Sequence, residues 1–412
     1  MNTFYPFTRD NPLLKSTERK KFNNKIKIIK LIYTEGYKTA LEICNELNIS
    51  LPTSNILINE LLENEMIEKK GQAKSSGGRK PDQYGLTPNS IFILAMNIGQ
   101  NRTQMAIYNN SHERITDIHT VQLRFDGQED HINKIYEFGD QFIKGSGINA
   151  DKLLGIGITM PGLIDSKKGI NYTYLNNLSQ STLKGAFQEK FNKQVVLEND
   201  AKAMTLAEFQ FGSKAGTDQI LGIYTDWGIG LGIVLDGKIY KGFSGFSGEF
   251  GHITMVENGH LCSCGKQGCL ETLASGMAMV RLAKDAYLKG KPSIMNTELS
   301  KNIEDIDPDF IIQSALQGDQ HAIGILTEIG SYLGKGISIL VQLFNPEVII
   351  IGGKIAEAGQ YILTPIYQSL NTFCLPQLRK QTTIELSQLG KDARMLGAIS
   401  IYMNEAFDAL LD

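Results

Sequence analysis

The sequence predicts an α/β protein with a small N-terminal winged helix-turn-helix, residues 1–88, ahead of a larger body, residues 89–412, built as two related lobes. Three observations carry that prediction. The first ninety residues show a helix–helix–turn–helix pattern, then two short strands around a basic, glycine-rich tip. From about Ile91 the texture changes to strands followed by alternating helix and strand, and it occurs twice. The charge divides in the same way: net charge is −3, residues 1–90 carry 14 Lys and Arg against 10 Asp and Glu, and the remaining 27 basic and 34 acidic residues leave the body at −7. A basic segment on an acidic body confines contact with a polyanion to that segment.

The first helix is read from "NNKIKIIKLIYTEG", where Ile26, Ile29, Leu31 and Ile32 form a rough apolar face that ends at Gly36. Thr39 can cap a second helix, "ALEICNELN", with Leu41, Ile43, Cys44 and Leu47 expected inward. After a tight turn at Asn48-Ile49, Ser50 can cap a third helix, "LPTSNILINELLENEM", with Pro52 in its first turn, where a missing N–H costs little. Two helices joined so closely form a helix-turn-helix unit. The small polar side chains Ser50, Thr53, Ser54 and Asn55 at the start of the third helix are candidates for DNA contact. "MIEKKGQAKSSGGRKPDQYGLT" reads as a β-wing whose Lys74, Arg79 and Lys80 would meet the DNA backbone or minor groove. A three-helix protein-interaction module is the alternative. Helix spacing, the polar start of the third helix and the basic wing together favour DNA.

In the body, "IFILAMNIGQNRTQMAIYNN" reads as strand, turn and strand. "LLGIGITMPGLID" and "QVVLEND" are short apolar strands, and "AKAMTLAEFQFG" is helical. "QILGIYTDWGIGLGIVLDGKIY" is a glycine-rich hairpin, and "SYLGKGISILVQLFNPEVIIIGG" a long helix followed by a buried strand. Two such lobes are expected to enclose a ligand cleft.

Apolar residues make up 42% and charged residues 21%, ordinary values for a globular chain. No apolar run reaches the roughly 18 residues of a membrane helix, and the N-terminus lacks an apolar core of signal-peptide type. A cytoplasmic protein without membrane contact is expected. Three of the five cysteines, Cys262, Cys264 and Cys269, cluster in "GHLCSCGKQGC", which suits a metal better than a disulfide framework. Three thiolates and one imidazole make a common closed structural zinc set, with no open position for water. Spacing leaves the imidazole undecided between His252 and His260. Cys44 and Cys374 read as ordinary buried thiols.

The run "GEFGHI…GHLCSCGKQGCLE", with "LENDAKAMTLAEFQFG" and "NPEVIIIGG", resembles the ROK family (repressors, open reading frames and kinases) over residues 20–405. With the winged helix, the likeness is to that family's xylose- and N-acetylglucosamine-type repressors. The resemblance implies a two-lobed, actin-like sugar-kinase fold. It implies His252 as the fourth ligand beside Cys262, Cys264 and Cys269, in a structural zinc loop over 252–269. It also implies a sugar site of Gly162, Asn177, Asn199, Asp200, Glu249, His252 and Glu271. Carboxylates and an amide can take vicinal hydroxyls in bidentate pairs, and unpaired buried groups reject the wrong epimer. Asn199-Asp200 can equally cap the helix that follows.

Where the family's kinases have Asp-x-Gly-Gly-Thr, this chain has "NIGQNRT", with Asn97 in place of the metal-ordering aspartate and Gln100-Asn101 in place of Gly-Thr. Where they have Gly-Thr-Gly-x-Gly, it has "DWGIG". Asp226 is expected to repel a phosphate and Trp227 to occupy its space. Two altered loops argue against phosphoryl transfer. The sequence therefore points to a DNA-binding transcriptional repressor, a homodimer or homotetramer on operator DNA, released by a sugar or sugar derivative bound in a degenerate kinase cleft and with no catalytic residue. Three charged carboxylates in the pocket favour a neutral sugar. The alternatives are an active ATP-dependent sugar kinase carrying a DNA-binding domain, and a regulator sequestered by a partner protein.

Overall fold

The computed structural model describes residues 16–73, 80–123, 129–174, 182–214, 217–304 and 306–411. The chain divides into two compact units, Met1–Glu198 with Ala398–Asp412, and Asn199–Gly397.

The first unit opens with α1 (Ser16–Glu35), β1 (Lys38–Thr39), α2 (Ala40–Leu47) and α3 (Leu51–Glu63), then β2 (Ile67–Gln72) and β3 (Asp82–Leu86). The three strands form a sheet in the order β1-β3-β2, with a bulge between Lys69 and Gly71. This is a winged helix-turn-helix. Thr39 builds a full capping box with Glu42, and Ser50 accepts from the Thr53 N–H. Asn48 turns the chain between α2 and α3 in the left-handed region, at φ 51°. Two expectations need correction here. Leu41 is 57% exposed, because it lies two residues, about 200°, from Ile43 on the helix and so faces away from the buried stripe. The third helix stops at Glu63, short of Met66, after which Glu65 takes φ 55° to enter the wing.

α1 is buried on more than the expected face. Ile26, Ile29, Leu31 and Ile32 are buried, and so are Ile28 and Tyr33. Tyr33 stands edge-on to His112 at 4.3 Å and to Phe407 at 5.5 Å, while Lys30 pairs with Asp408 at 2.8 Å. The winged helix is thus packed onto the rest of the first unit.

That remainder contains β4 (Phe92–Ile98), β5 (Arg102–Asn109), β6 (His119–Gln122), α4 (Glu129–Gly145), β7 (Leu153–Met160), β8 (Ile164–Asp165), β9 (Ile170–Asn171), α5 (Leu183–Phe191) and β10 (Gln194–Asn199). Its main sheet runs β10-β7-β4-β5-β6, with β4 antiparallel to β5 and parallel to β7. Alternate residues of β4, Phe92, Leu94, Met96 and Ile98, enter a core shared with Ile132 and Ile135 of α4 and Phe187 of α5.

The second unit holds α6 (Asp200–Phe211), β11 (Gln219–Thr225), β12 (Ile229–Leu235), β13 (Lys238–Ile239), α7 (Glu271–Ala274), α8 (Gly276–Leu288), α9 (Asn296–Leu299), α10 (Pro308–Leu316), α11 (Gln320–Phe344), β14 (Val348–Gly352), α12 (Gln360–Phe373), α13 (Pro376–Gln381) and β15 (Thr383–Leu386). The closing helix, α14 (Ala393–Leu411), begins here and continues into the first unit. The second sheet runs β13-β12-β11-β14-β15, with β11 antiparallel to β12 and parallel to β14. The two sheets repeat one topology, β4 corresponding to β11 and β7 to β14, as the doubled texture of the sequence predicts. Among the described residues no helix is long and apolar enough to cross a membrane.

Candidate ligand and metal site

The second unit builds its site around the hairpin turn Asp226-Trp227-Gly228. Asn199 caps α6 by accepting from the Lys202 N–H at 3.2 Å. Helix α6 lies directly on the hairpin because Gly222 and Gly232, partners across β11 and β12, leave the space that Thr205 fills. That packing sets Asp200, first residue of α6, near the turn. Asp200 Oδ1 accepts from the Ala201 N–H at 2.9 Å. Loss of hydration raises the Asp200 carboxyl above its usual range; Arg394 and the Ala201 N–H oppose this, and Asp226 adds to it.

Asp226 does not stand as a lone repelling charge. Its carboxylate pairs with Arg394 and accepts from the Lys354 N–H at 2.7 Å. Its main-chain oxygen accepts from the Gly276 N–H at 2.8 Å, and that of Trp227 from the Met277 N–H at 3.2 Å. The Trp227 indole is 49% exposed.

Behind the turn, Glu271 is buried and its Oε2 accepts from the Ile229 N–H at 3.1 Å. Its Oε1 lies 3.8 Å from Cys262 Sγ. Glu249 Oε2 lies 3.9 Å from His252 Nε2, and the buried Lys202 donates to the Gly245 carbonyl. Asn199, Asp200, Glu249, His252 and Glu271 therefore all belong to the second unit and gather about one hairpin. Gly162 belongs to the first unit, where it turns the chain at φ 99° against Thr173. Asn177 lies outside the described residues.

His252, Cys262, Cys264 and Cys269 place their ligand atoms within 4.8 Å of one another and can hold a metal ion. Cys262 Sγ is 3.5 Å from His252 Nδ1, and Cys264 Sγ is 3.7 Å from Cys269 Sγ. The loop is drawn tight by the Cys262 N–H on the Lys266 carbonyl, at 2.8 Å, and the Gly268 N–H on the His260 carbonyl, at 3.0 Å. Gly268 has φ 72°, and a Cβ there would strike the Val256 carbonyl. The imidazole of His260 is engaged by Arg281, so His252 is the one that joins the thiols. Burial pushes the Cys269 thiol up to about 12, with the neighbouring thiols adding to the effect. Nδ1 of His252 faces the sulfurs while Nε2 faces Glu249.

In the first unit, Asn97 is buried and donates to Thr159 Oγ1 at 2.9 Å. The following turn closes through the Gly99 N–H on the Arg102 carbonyl at 2.9 Å, and Gln100 and Asn101 are exposed.

On α3, one expected DNA contact fails. Ser54 is 0% exposed and donates to the Ala40 carbonyl at 3.1 Å, holding α2 and α3 together. Ser50 and Asn55 are exposed, Thr53 is half-buried and bonded to Ser50, and Lys80 is exposed. Lys74 and Arg79 lie outside the described residues. Asn59 is exposed one turn beyond Asn55, on the same side of α3. The sequence reading missed Arg394 and Lys354.

Comparison with known proteins places the chain further. The ROK family profile matches residues 93–405. The xylose repressor of Bacillus spizizenii is 30% identical over 389 residues, covering 94% of this chain and 97% of that protein. The glucokinase of Thermotoga maritima is 33% identical over 280 residues, covering 67% of this chain and 86% of its own. The crystal structure of a ROK family transcriptional regulator, a homologue of the Escherichia coli MLC protein, superposes with a TM-score of 0.82 at 28% identity, covering 95% of this chain and 98% of that one.

Proposed function

Because the chain belongs to the ROK family, we propose that it is a sugar-responsive transcriptional repressor in which a degenerate kinase site serves as the sensor. The observation that carries the proposal is the pairing of a winged helix-turn-helix with a sugar-type residue set beside altered phosphate loops. The xylose repressor matches along 94% of the chain, whereas the glucokinase match spans 67% of it.

In this reading Asp200 accepts a hydrogen bond from a sugar hydroxyl through Oδ2, its Oδ1 being held by the Ala201 N–H. Glu249 and the Nε2 side of His252 meet further hydroxyls. Glu271 acts mainly by holding the Ile229 N–H, and with it the turn. Phosphoryl transfer is lost in this reading because neither turn keeps the kinase pattern of glycines with a free metal-ordering aspartate. Asn97 is neutral and spent on Thr159, and Asp226 is spent on Arg394.

We assign zinc to the cysteine cluster. A tetrahedral zinc with bonds of about 2.3 Å to sulfur and about 2.0 Å to nitrogen requires sulfur–sulfur edges of about 3.8 Å and sulfur–nitrogen edges of about 3.5 Å. The cluster has 3.7 Å and 3.5 Å at the corresponding pairs. With four protein ligands the ion is structural: it would ionise the thiols and fix the His252 ring so that Nε2 keeps its proton for a sugar hydroxyl.

DNA contact falls to the exposed start of α3, Ser50, Thr53 and Asn55 with Asn59, and to the wing with Lys80, Lys74 and Arg79. Asn amides pair bidentately with adenine, and the lysines and arginine meet phosphates. A homodimer on a pseudo-palindromic operator fits this geometry. The sugar weakens operator binding by favouring a state of lower DNA affinity, which requires that it bind the two states unequally.

Trp227, the chain's one tryptophan, sits in the turn and supplies the test. Its fluorescence and the thermal unfolding of the protein are followed against neutral and phosphorylated sugars, with and without Mg-ATP. One sugar that shifts both and releases operator DNA, with no ADP formed, is the expected result. ADP formed in the presence of a sugar would instead establish the kinase reading that the glucokinase similarity favours.

A further inference from the structure

The structure assigns to Asp226 the role of an internal anion that occupies the phosphate seat of the second turn and closes it to nucleotides. The role rests on the reading above that the nucleotide half of the site is out of use, and it supplies the cause.

Two separate parts of the second unit converge on this carboxylate. The Arg394 guanidinium, from the start of α14, pairs with Oδ2. The Lys354 N–H, just beyond β14, donates to Oδ1 at 2.7 Å. The turn itself is pinned from behind by the Gly276 N–H on the Asp226 carbonyl. A guanidinium and a main-chain N–H aimed at one point form a receptor for an oxyanion, of carboxylate or phosphate type. The charge that matters is that of Arg394, because the ammonium of Lys354 is spent on Asp309. The carboxylate is tethered to the loop whose counterpart in the family's kinases carries glycine at this position, where a nucleotide phosphate can approach. A tethered anion needs no translational entropy to bind, so it outcompetes a dissolved one that would make the same contacts. Exclusion therefore works by occupation. Simple repulsion, the expectation from sequence, is the weaker account because Arg394 neutralises the carboxylate.

The consequence is specific. Removing the Asp226 side chain should uncover an anion site that the wild type lacks. The experiment uses the full chain and inorganic phosphate, with chloride at equal ionic strength as reference. Phosphate stabilises most folded proteins slightly through exclusion from their surface, so the readout is the difference between variant and wild type. For Asp226→Gly, saturating phosphate should raise the unfolding temperature by about 2 °C or more beyond the wild-type response. In Asp226→Gly with Arg394→Gln that extra rise should vanish. If Asp226→Gly does not fold, Asp226→Ala carries the same test, since residue 226 has no positive φ. An equal phosphate response in wild type and variant would show that Asp226 blocks nothing. No extra response in the single variant would show that Arg394 and Lys354 form no oxyanion receptor. Either result overturns the inference and leaves the repressor reading standing. Sugar-dependent ADP formation by the wild type would overturn that reading instead, and would remove exclusion with it.

Discussion

The turn after β4 and the turn after β11 occupy one place in two sheets of the same strand order, yet they are held differently. Residues Gly99 to Asn101 are closed by a single hairpin hydrogen bond, backed by Asn97 on Thr159. Residues Asp226 to Ile229 are gripped by Arg394, by the N–H groups of Lys354, Gly276 and Met277, and by Glu271. Both depart from the loop expected of a kinase, but by opposite routes. The first has become neutral and solvent-facing, while the second has become a structural hub. In the proposed repressor reading these are two kinds of remnant of one chemistry, and they differ in what mutation should do to them.

The largest effect is expected where the hub is anchored. Glu271 joins the second turn to the cysteine loop through Cys262. Cys264→Ser removes one ligand of four and should lower metal content and stability together, by about 3 kcal/mol or more, because binding free energy in such a loop is folding free energy. Metal analysis alongside thermal unfolding checks this. Trp227 emission should change in the variant as well, since the indole rides on the turn. Normal metal content in Cys264→Ser would remove the metal assignment.

Asp226→Ala in chloride buffer comes next, with an expected cost of about 2 kcal/mol. It strips Arg394 of its direct partner, and breaking such a pair costs more than the pair contributes. Arg394 also acts on Asp200, so Asp226→Ala and Asp200→Asn should be non-additive in a double-mutant cycle measured by chemical denaturation. Additivity would separate Asp200 from the hub.

Legibility in the sequence followed the same division. Features set by neighbours along the chain could be read directly. Thr39 and Ser50 cap their helices, the repeated strand texture yields two matching sheets, and three cysteines within eight residues belong to a cluster that can hold a metal. Features set by distant contacts could not. Arg394 lies 168 positions from Asp226, and no local signal names it as the counter-charge. Ser54 looked like a DNA contact because it is small and polar at a helix start; it is small because α2 and α3 meet there. Tyr33 falls outside the expected buried face of α1 because its burial comes from His112 and Phe407, far along the chain.

Asp200→Asn should act in the opposite direction to the first two, raising stability by about 1 kcal/mol at neutral pH while abolishing the sugar response. The native carboxyl has a raised pKa, so its favourable contribution is complete below the unfolded value, near 3.9, and is lost as pH rises through the folded one. The gain from Asn should therefore be present at pH 7 and disappear towards pH 3. The amide keeps an oxygen for the Ala201 N–H, so the helix start is preserved. A gain that did not depend on pH would trace the effect to packing and remove the buried charge as its cause.

The smallest effect sharpens the comparison most. Gln100→Ala, in the first turn, should move stability by less than about 0.5 kcal/mol. The side chain is exposed, and among the described residues the turn closes through main-chain groups of Gly99 and Arg102 that alanine leaves in place. Its effect on sugar affinity should be equally slight if the turn has no remaining ligand. A loss of tenfold or more in sugar affinity, with stability unchanged, would mean that the first turn still meets the effector. The first turn would then count among the groups that answer to the effector, and phosphorylated sugars would be the next ligands to test.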